Sequence, residues 1–243
     1  MGGTLAHPRP SFNALLTEVC RGAGLDVTLE QTVLAEVAVW AKVAQREGGG
    51  RGFSLSPERS REFWSWIYAS FLDELGHSDA THVAQELFHA FTRPDNYELF
   101  DDALPALEQL RAAGMRLGVI SNWEAWAEQL LCALKIDQFF ECAVISGMVG
   151  VEKPDPEIFR RAVETAGLEP WQAMHVGDNP VDDFAGAQAA GLTAVLIDRT
   201  SAAPAVAGRP YLMIPLVRPM EPAPPPGIKI ASLTELPRLL GIA

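Results

Sequence analysis

Residues 173–191, AMHVGDNPVDDFAGAQAAG, decide the fold class. The apolar run Ala173 to Val176 is broken by Gly177, and Asp178, Asp182 and Asp183 follow within six residues. Phe184, Ala187 and Ala190 then recur at helical spacing until Gly191, placed where glycine ends helices. The stretch reads as strand, tight acidic loop, helix. In an open α/β sheet, ligands sit at the carboxyl ends of the strands, where this loop falls. Three carboxylates crowded together repel one another. A divalent cation relieves the repulsion, and hard oxygen donors suit Mg²⁺. The alternative is that Asp183 only caps the helix while the other two are solvated.

The same alternation extends on both sides. From about Leu104 to Ala113 the spacing predicts a helix, then a strand from Arg116 to Ile120 that ends at Ser121-Asn122. A helix from about Glu124 to Leu134 and a strand from Cys142 to Ile145 follow. Asp155 and Pro156 have the residue types of an N-cap and first helical position, with the helix running to Gly167. After the acidic loop come a strand from Ala194 to Asp198, a Pro-rich stretch from Pro215 to Pro226 read as a loop, and a strand from Ile228 to Ala231. A final helix opens with Ser232 and Glu235 at capping-box spacing. Alternation of this kind predicts an α/β fold, a Rossmann-like parallel sheet with helices on both faces.

Between Pro10 and Pro94 the pattern is helical throughout. Ser11 caps a helix carrying Phe12, Leu15, Leu16 and Val19. Thr28 opens a second, with Gln31 at capping-box spacing, that ends before a glycine-rich loop at Gly48 to Gly52. Ser56-Pro57 opens a third with Phe63, Trp64, Ile67, Phe71 and Leu75 on one face. A fourth spans about Asp79 to Thr92. Four helices with short connections predict a small bundle, and its aromatic residues are assigned to the core rather than to a pocket.

The totals exclude several functions. A chain of 243 residues that is 48% hydrophobic and 21% charged has the composition of a soluble globular protein. A net charge of −12 argues against nucleic acid and against anionic membranes as partners. Three scattered cysteines, Cys20, Cys132 and Cys142, suggest neither a disulfide framework nor a zinc site. They read as small hydrophobes in a reducing cytoplasm.

Ser121 and Asn122 follow one strand, Lys153 trails another, and Asp178 and Asp183 follow a third. In a parallel sheet these loops gather on one edge. A hydroxyl, an ammonium and a metal-binding pair there would suit a phosphoryl group. With Gly3-Thr4-Leu5, Ile120-Ser121-Asn122, Lys153-Pro154 and Gly177-Asp178-Asn179 through Asp182-Asp183, the chain resembles the haloacid dehalogenase superfamily of aspartate-nucleophile hydrolases. The resemblance implies that residues 10–94 are a helical cap domain inserted in a core formed by 1–9 and 95–243. It implies that Ser121, with Asn122 beside it, binds the transferred phosphoryl group, that Lys153 neutralises nucleophile and phosphate, and that Thr4 hydrogen-bonds near the nucleophile. Asp178 and Asp183 would hold Mg²⁺, with Asp182 a weaker third. The implied activity is a Mg²⁺-dependent phosphatase acting on a small phosphorylated metabolite. Haloacid dehalogenase, and a non-catalytic binding protein of the same fold, are the alternatives.

Two departures qualify the resemblance. The nucleophilic aspartate of the family would precede Met1, and its second aspartate would fall at Gly2, so the chain as given is expected to be inactive by itself. The first strand of the fold would also precede Met1. Burying four Val/Ile-type side chains is worth on the order of 6–12 kcal/mol, so the recorded start is expected to be too late.

Overall fold

The structure, a computed structural model, describes residues 1–46, 51–199 and 227–242. Residues 47–50 of the glycine-rich loop and the Pro-rich stretch 215–226 lie outside the described residues. β1 (Ala6–Pro8) leads into a helical block: α1 (Phe12–Gly22), α2 (Leu29–Gln45), α3 (Pro57–Glu74) and α4 (Thr81–Phe91). The starts follow from local chemistry. The Ser11 hydroxyl accepts from Ala14 N, Thr28 and Gln31 form a reciprocal capping box, and Ser56 accepts from Arg59 N with Pro57 at the first helical position. The four helices bury one shared cluster that includes Leu16, Val39, Ile67, Phe71, Val83 and Leu87.

The chain leaves the block through β2 (Tyr97–Leu99), which pairs antiparallel with β1, Ala6 opposite Leu99. The sequence pattern did not suggest this pair, because three-residue strands carry no readable alternation. α5 (Ala103–Ala112), β3 (Gly118–Ser121), α6 (Ala127–Ala133), β4 (Cys142–Ile145), α7 (Ser146–Val149), α8 (Pro156–Thr165), β5 (Met174–Gly177), α9 (Gly186–Ala189), β6 (Thr193–Ile197), β7 (Ile228–Ile230) and α10 (Leu236–Leu239) complete the chain.

β3 and β4 pair in parallel, as do β5, β6 and β7 in that order. Among the described residues β3 and β5 do not pair with each other. Residues 1–3 come between their carboxyl ends, Gly2 against Trp123 and Gly3 against Asp178. Period-two alternation sends neighbouring strand residues into different clusters. Val144 and Ala194 pack with Ile158, Phe159 and Phe184 on one face. On the other, Ile145 joins Val119 and Leu130, while Val195 and Ile197 join Ala103 and Leu236. Helices therefore cover both faces. Among the described residues no helix is long and apolar enough to cross a membrane.

The helical block is tied to the α/β part by polar contacts. Ser54 Oγ donates to Glu152 Oε2 at 2.8 Å, Ser60 Oγ to Glu124 Oε1 at 2.5 Å, and Ser146 Oγ to Ser54 Oγ at 2.7 Å. Glu152 also accepts from the Gly52 amide.

Asp102, just before α5, closes a second long-range tie. Its Oδ2 accepts from Arg199 Nη1 at 2.9 Å, Ser232 Oγ at 2.8 Å and Leu233 N at 2.8 Å. Burial opposes ionisation of Asp102, but Arg199 and the two hydrogen bonds outweigh it and hold the carboxyl below its usual value. A depressed carboxylate stabilises the fold above the unfolded-state pKa, and that contribution fades as pH falls through the folded one. Asp102→Asn should therefore cost about 1.5–3 kcal/mol at pH 7, with the difference from the parent shrinking below about pH 4, as read by denaturant unfolding across pH.

Candidate active site

The acidic loop after β5 is built by glycine and asparagine. A Cβ at Gly177 would meet Asp183 Cγ at 2.1 Å, so only glycine leaves the Asp183 carboxyl room beside the strand end. The turn is capped by Asn179, not by Asp183: Asn179 Oδ1 accepts from Val181 N and Asp182 N, both at 2.9 Å. Residues Pro180–Ala185 then form a π-turn ahead of α9, where the sequence had suggested a plain α-helix start. In this wider turn Asp183 returns one oxygen to the Asn179 amide and turns the other toward Lys153.

Asp183 is the hub. Its Oδ1 takes Lys153 Nζ at 2.5 Å and faces His175 Nε2 at 2.9 Å, and its Oδ2 accepts from Asn179 N at 2.9 Å. An ionised carboxylate only accepts, so His175 Nε2 carries the proton in this contact. Burial would raise the Asp183 carboxyl. The Lys153 ammonium and the His175 bond reverse that and hold it well below the usual range. Burial pushes the His175 imidazole down, keeping it a neutral donor.

Lys153 is placed from the other half of the sheet. Asn122, just past β3, clamps its backbone, with Lys153 N donating to Asn122 Oδ1 at 2.6 Å and Asn122 Nδ2 donating to Lys153 O at 2.8 Å. Lys153 Nζ also reaches Ile120 O at 3.4 Å. Ser121, the last residue of β3, is buried and lines the same cavity as Lys153, Asp178, Asp182 and Asp183.

Thr4 comes from the N-terminal loop. Its Oγ1 donates to Asp178 Oδ1 at 2.7 Å. Gly3 makes the approach possible, because its φ is +74° and a Cβ there would lie 2.3 Å from Asp178 Oδ2. Arg199 fixes this loop, donating to Gly3 O at 3.1 Å and Thr4 O at 2.5 Å while stacking 3.8 Å over the Phe100 ring. At Gly2 a Cβ would come 2.7 Å from the Trp123 ring, so the indole fills the space a longer side chain would use.

All seven residues expected from the sequence thus converge: Thr4, Ser121, Asn122, Lys153, Asp178, Asp182 and Asp183. Asn122 acts through the Lys153 backbone. His175, Asn179, Arg199 and Asp102 were not singled out from the sequence. Asn179 had a local signal, the Asx-Pro turn; the others act across the chain.

The carboxylates differ in how committed they are. Burial, then the Asp183 charge, raises the Asp178 carboxyl above its usual value, and the same two causes raise Asp182 to about 6. Asp183 already spends three of its roughly four lone-pair directions on protein donors. Asp178 Oδ2 and the Asp182 carboxyl are less engaged. Among the described residues, no three His, Cys, Asp or Glu side chains form a ready-made metal cluster. The donors present are hard carboxylate oxygens, which fits an ion that keeps several waters.

The cavity runs from these groups into the helical block. Its volume is about 230 Å³, and Phe12, Trp40, Trp64, Tyr68, Phe88 and Phe91 form much of its wall. The aromatic residues assigned to core by their spacing therefore serve two surfaces. Tyr68 and Phe91 are buried and stack 5.5 Å apart, and both also border the cavity.

Residues 1–191 match the family described as haloacid dehalogenase-like hydrolase. A haloacid dehalogenase-like hydrolase domain-containing protein 3 of Mus musculus is 32% identical over 175 residues, 71% of this chain and 68% of that one. A phosphoserine phosphatase of Thermus thermophilus is 31% identical over 202 residues, 82% of this chain and 72% of its own. The crystal structure of a HAD-hydrolase from Bacillus subtilis, bound to magnesium, superposes with a TM-score of 0.71 at 19% identity, covering 100% of this chain and 96% of that one. This last likeness speaks for the fold alone.

Lys153→Met would leave Asp183 a buried charge without its cation, at a cost of about 3–5 kcal/mol. The double variant Lys153→Met/Asp183→Asn should regain much of that loss. Thermal or denaturant unfolding of the three proteins checks it, and additive losses would contradict a paired role.

Proposed function

The chain belongs to the haloacid dehalogenase-like hydrolase family, and from that premise we propose that it is a Mg²⁺-dependent phosphohydrolase acting on a small phosphorylated metabolite. The observation that carries the reading is the convergence of the Ser121 hydroxyl, the Lys153 ammonium and the carboxylates of Asp178, Asp182 and Asp183 on a single cavity end. In this reading Ser121 and Lys153 hold the phosphoryl oxygens, and Lys153 offsets charge that develops in the transition state. Asn122 orients Lys153, and Thr4 orients Asp178. Asp178 and Asp183, with Asp182 as a third, hold the ion directly or through water. When bound, Mg²⁺ supplies Lewis-acid polarisation and charge neutralisation at the phosphoryl group.

Residues 10–94 serve as the cap domain over a core of 1–9 and 95–243. The aromatic cavity wall they contribute excludes water from the reacting group. The route that the family resemblance implies is an aspartyl phosphate. The phosphatase name of the Thermus thermophilus relative supports phosphate esters over halogenated acids as substrates. So does the pair Asp178 and Asp183, since carboxylates suit a cation rather than a departing halide. Gly2 offers no acid, so leaving-group protonation comes from elsewhere.

A form with an apolar strand ending in aspartate directly before Met1 should hydrolyse a generic phosphomonoester such as p-nitrophenyl phosphate, and only with Mg²⁺. Asp178→Asn in that form should lower kcat/KM by at least about 10³-fold, while chelation abolishes turnover in the parent. Full activity in the variant would refute the metal assignment. Inactivity of the parent form on a broad phosphate panel would favour the non-catalytic binding protein instead.

A further inference from the structure

Glu36 sits where the spacing of α2 calls for an apolar residue. It shares the buried face with Ala35, Val39 and Val43 and is only 1% exposed. Among the described residues one donor hydrogen-bonds to it: Asn13 Nδ2 meets Oε2 at 2.6 Å. Among the described residues it has no cationic partner. Yet the carboxyl faces the same cavity as Lys153 and Asp178. The Trp40 indole lies beside it, with its buried Nε1 making no hydrogen bond of good geometry. Burial pushes the Glu36 carboxyl up to about 7, against the opposing Asn13 bond and the nearby Trp40 indole.

A buried carboxylate held by one neutral amide is expensive unless something else satisfies it. Among the described residues no cation does, and Glu36 borders a cavity walled by aromatic rings. Those rings attract cations through their faces and reject anions. At about 230 Å³ the cavity falls below the usual roughly 300–1,000 Å³ of ligand pockets, so the ligand is small.

We propose that Glu36 is the specificity-determining residue of the cap, and that it selects phosphomonoesters whose leaving group is an apolar spacer ending in a protonated amine. The phosphoryl group lies at the Lys153 end, the spacer runs along Trp64, Tyr68 and Phe91, and the ammonium meets Glu36. The inference rests on the phosphoryl-binding reading of the site. It assigns Glu36 to binding only and gives it no part in bond breaking.

The test compares 6-aminohexyl phosphate with hexyl phosphate by calorimetry, on the full chain with Mg²⁺ present, so that turnover is not required. The amine should bind about tenfold tighter or more, the range expected for a desolvated cation among rings. Glu36→Gln, which keeps the size and the Asn13 contact, should bring the ratio to about unity. Glu36→Met should invert it in favour of hexyl phosphate. Melting curves of both variants report whether they are folded, and either folded variant suffices. Equal binding of the two esters to the parent, or an amine preference that survives both substitutions, overturns this inference alone. Binding of neither ester overturns the phosphoryl site and the amine selectivity together.

Discussion

The buried pair Lys153–Asp183 is the contact on which the rest of the site depends. Both side chains are 7% exposed, so their charges cannot rely on water. A buried pair repays its desolvation only when the remaining lone pairs and protons are also satisfied. Here they are: His175 and Asn179 complete Asp183, and the Ile120 carbonyl takes part of Lys153. Asp183 belongs to the loop after β5 and Lys153 is clamped to the end of β3 by Asn122. One ion pair thus joins the ends of two strands that do not hydrogen-bond to each other among the described residues.

A second tie governs the N-terminal loop. Arg199 reaches the carbonyls of Gly3 and Thr4 and is itself held by Asp102. That chain of contacts sets the height of the Thr4 hydroxyl over Asp178. The outcome is a division among carboxylates. Asp183 is fixed and held well below its usual value, whereas Asp178 and Asp182 are raised by burial and by its charge. An incoming cation would relieve the two that the protein leaves less satisfied.

What the sequence disclosed follows from the range of the physics involved. Helix starts at Ser11, Thr28, Ser56 and Asp155 are decided within four residues, and each side chain bonds the amide its spacing predicts. Strand-end residues were legible because topology alone gathers them on one edge. The β1–β2 pair was not, since it joins residues about ninety apart through strands of three. Nor were Arg199 and Asp102, whose partners are set by tertiary approach. Helical spacing identified Phe12 and Trp64 as inward-facing, but cannot tell a packed interior from a cavity wall. Glu36 was hidden by the same ambiguity: one acid on an apolar face is silent until the space before it is seen.

The most direct test of the phosphoryl-binding, cation-assisted site is a crystal structure of the chain grown with Mn²⁺ and tungstate, the two located by their anomalous signals. The account predicts one Mn²⁺ within about 2.5 Å of an Asp178 oxygen and tungstate within hydrogen-bond reach of Ser121 Oγ and Lys153 Nζ. Manganese away from Asp178, or tungstate bound with Ser121 and Lys153 untouched, would contradict it.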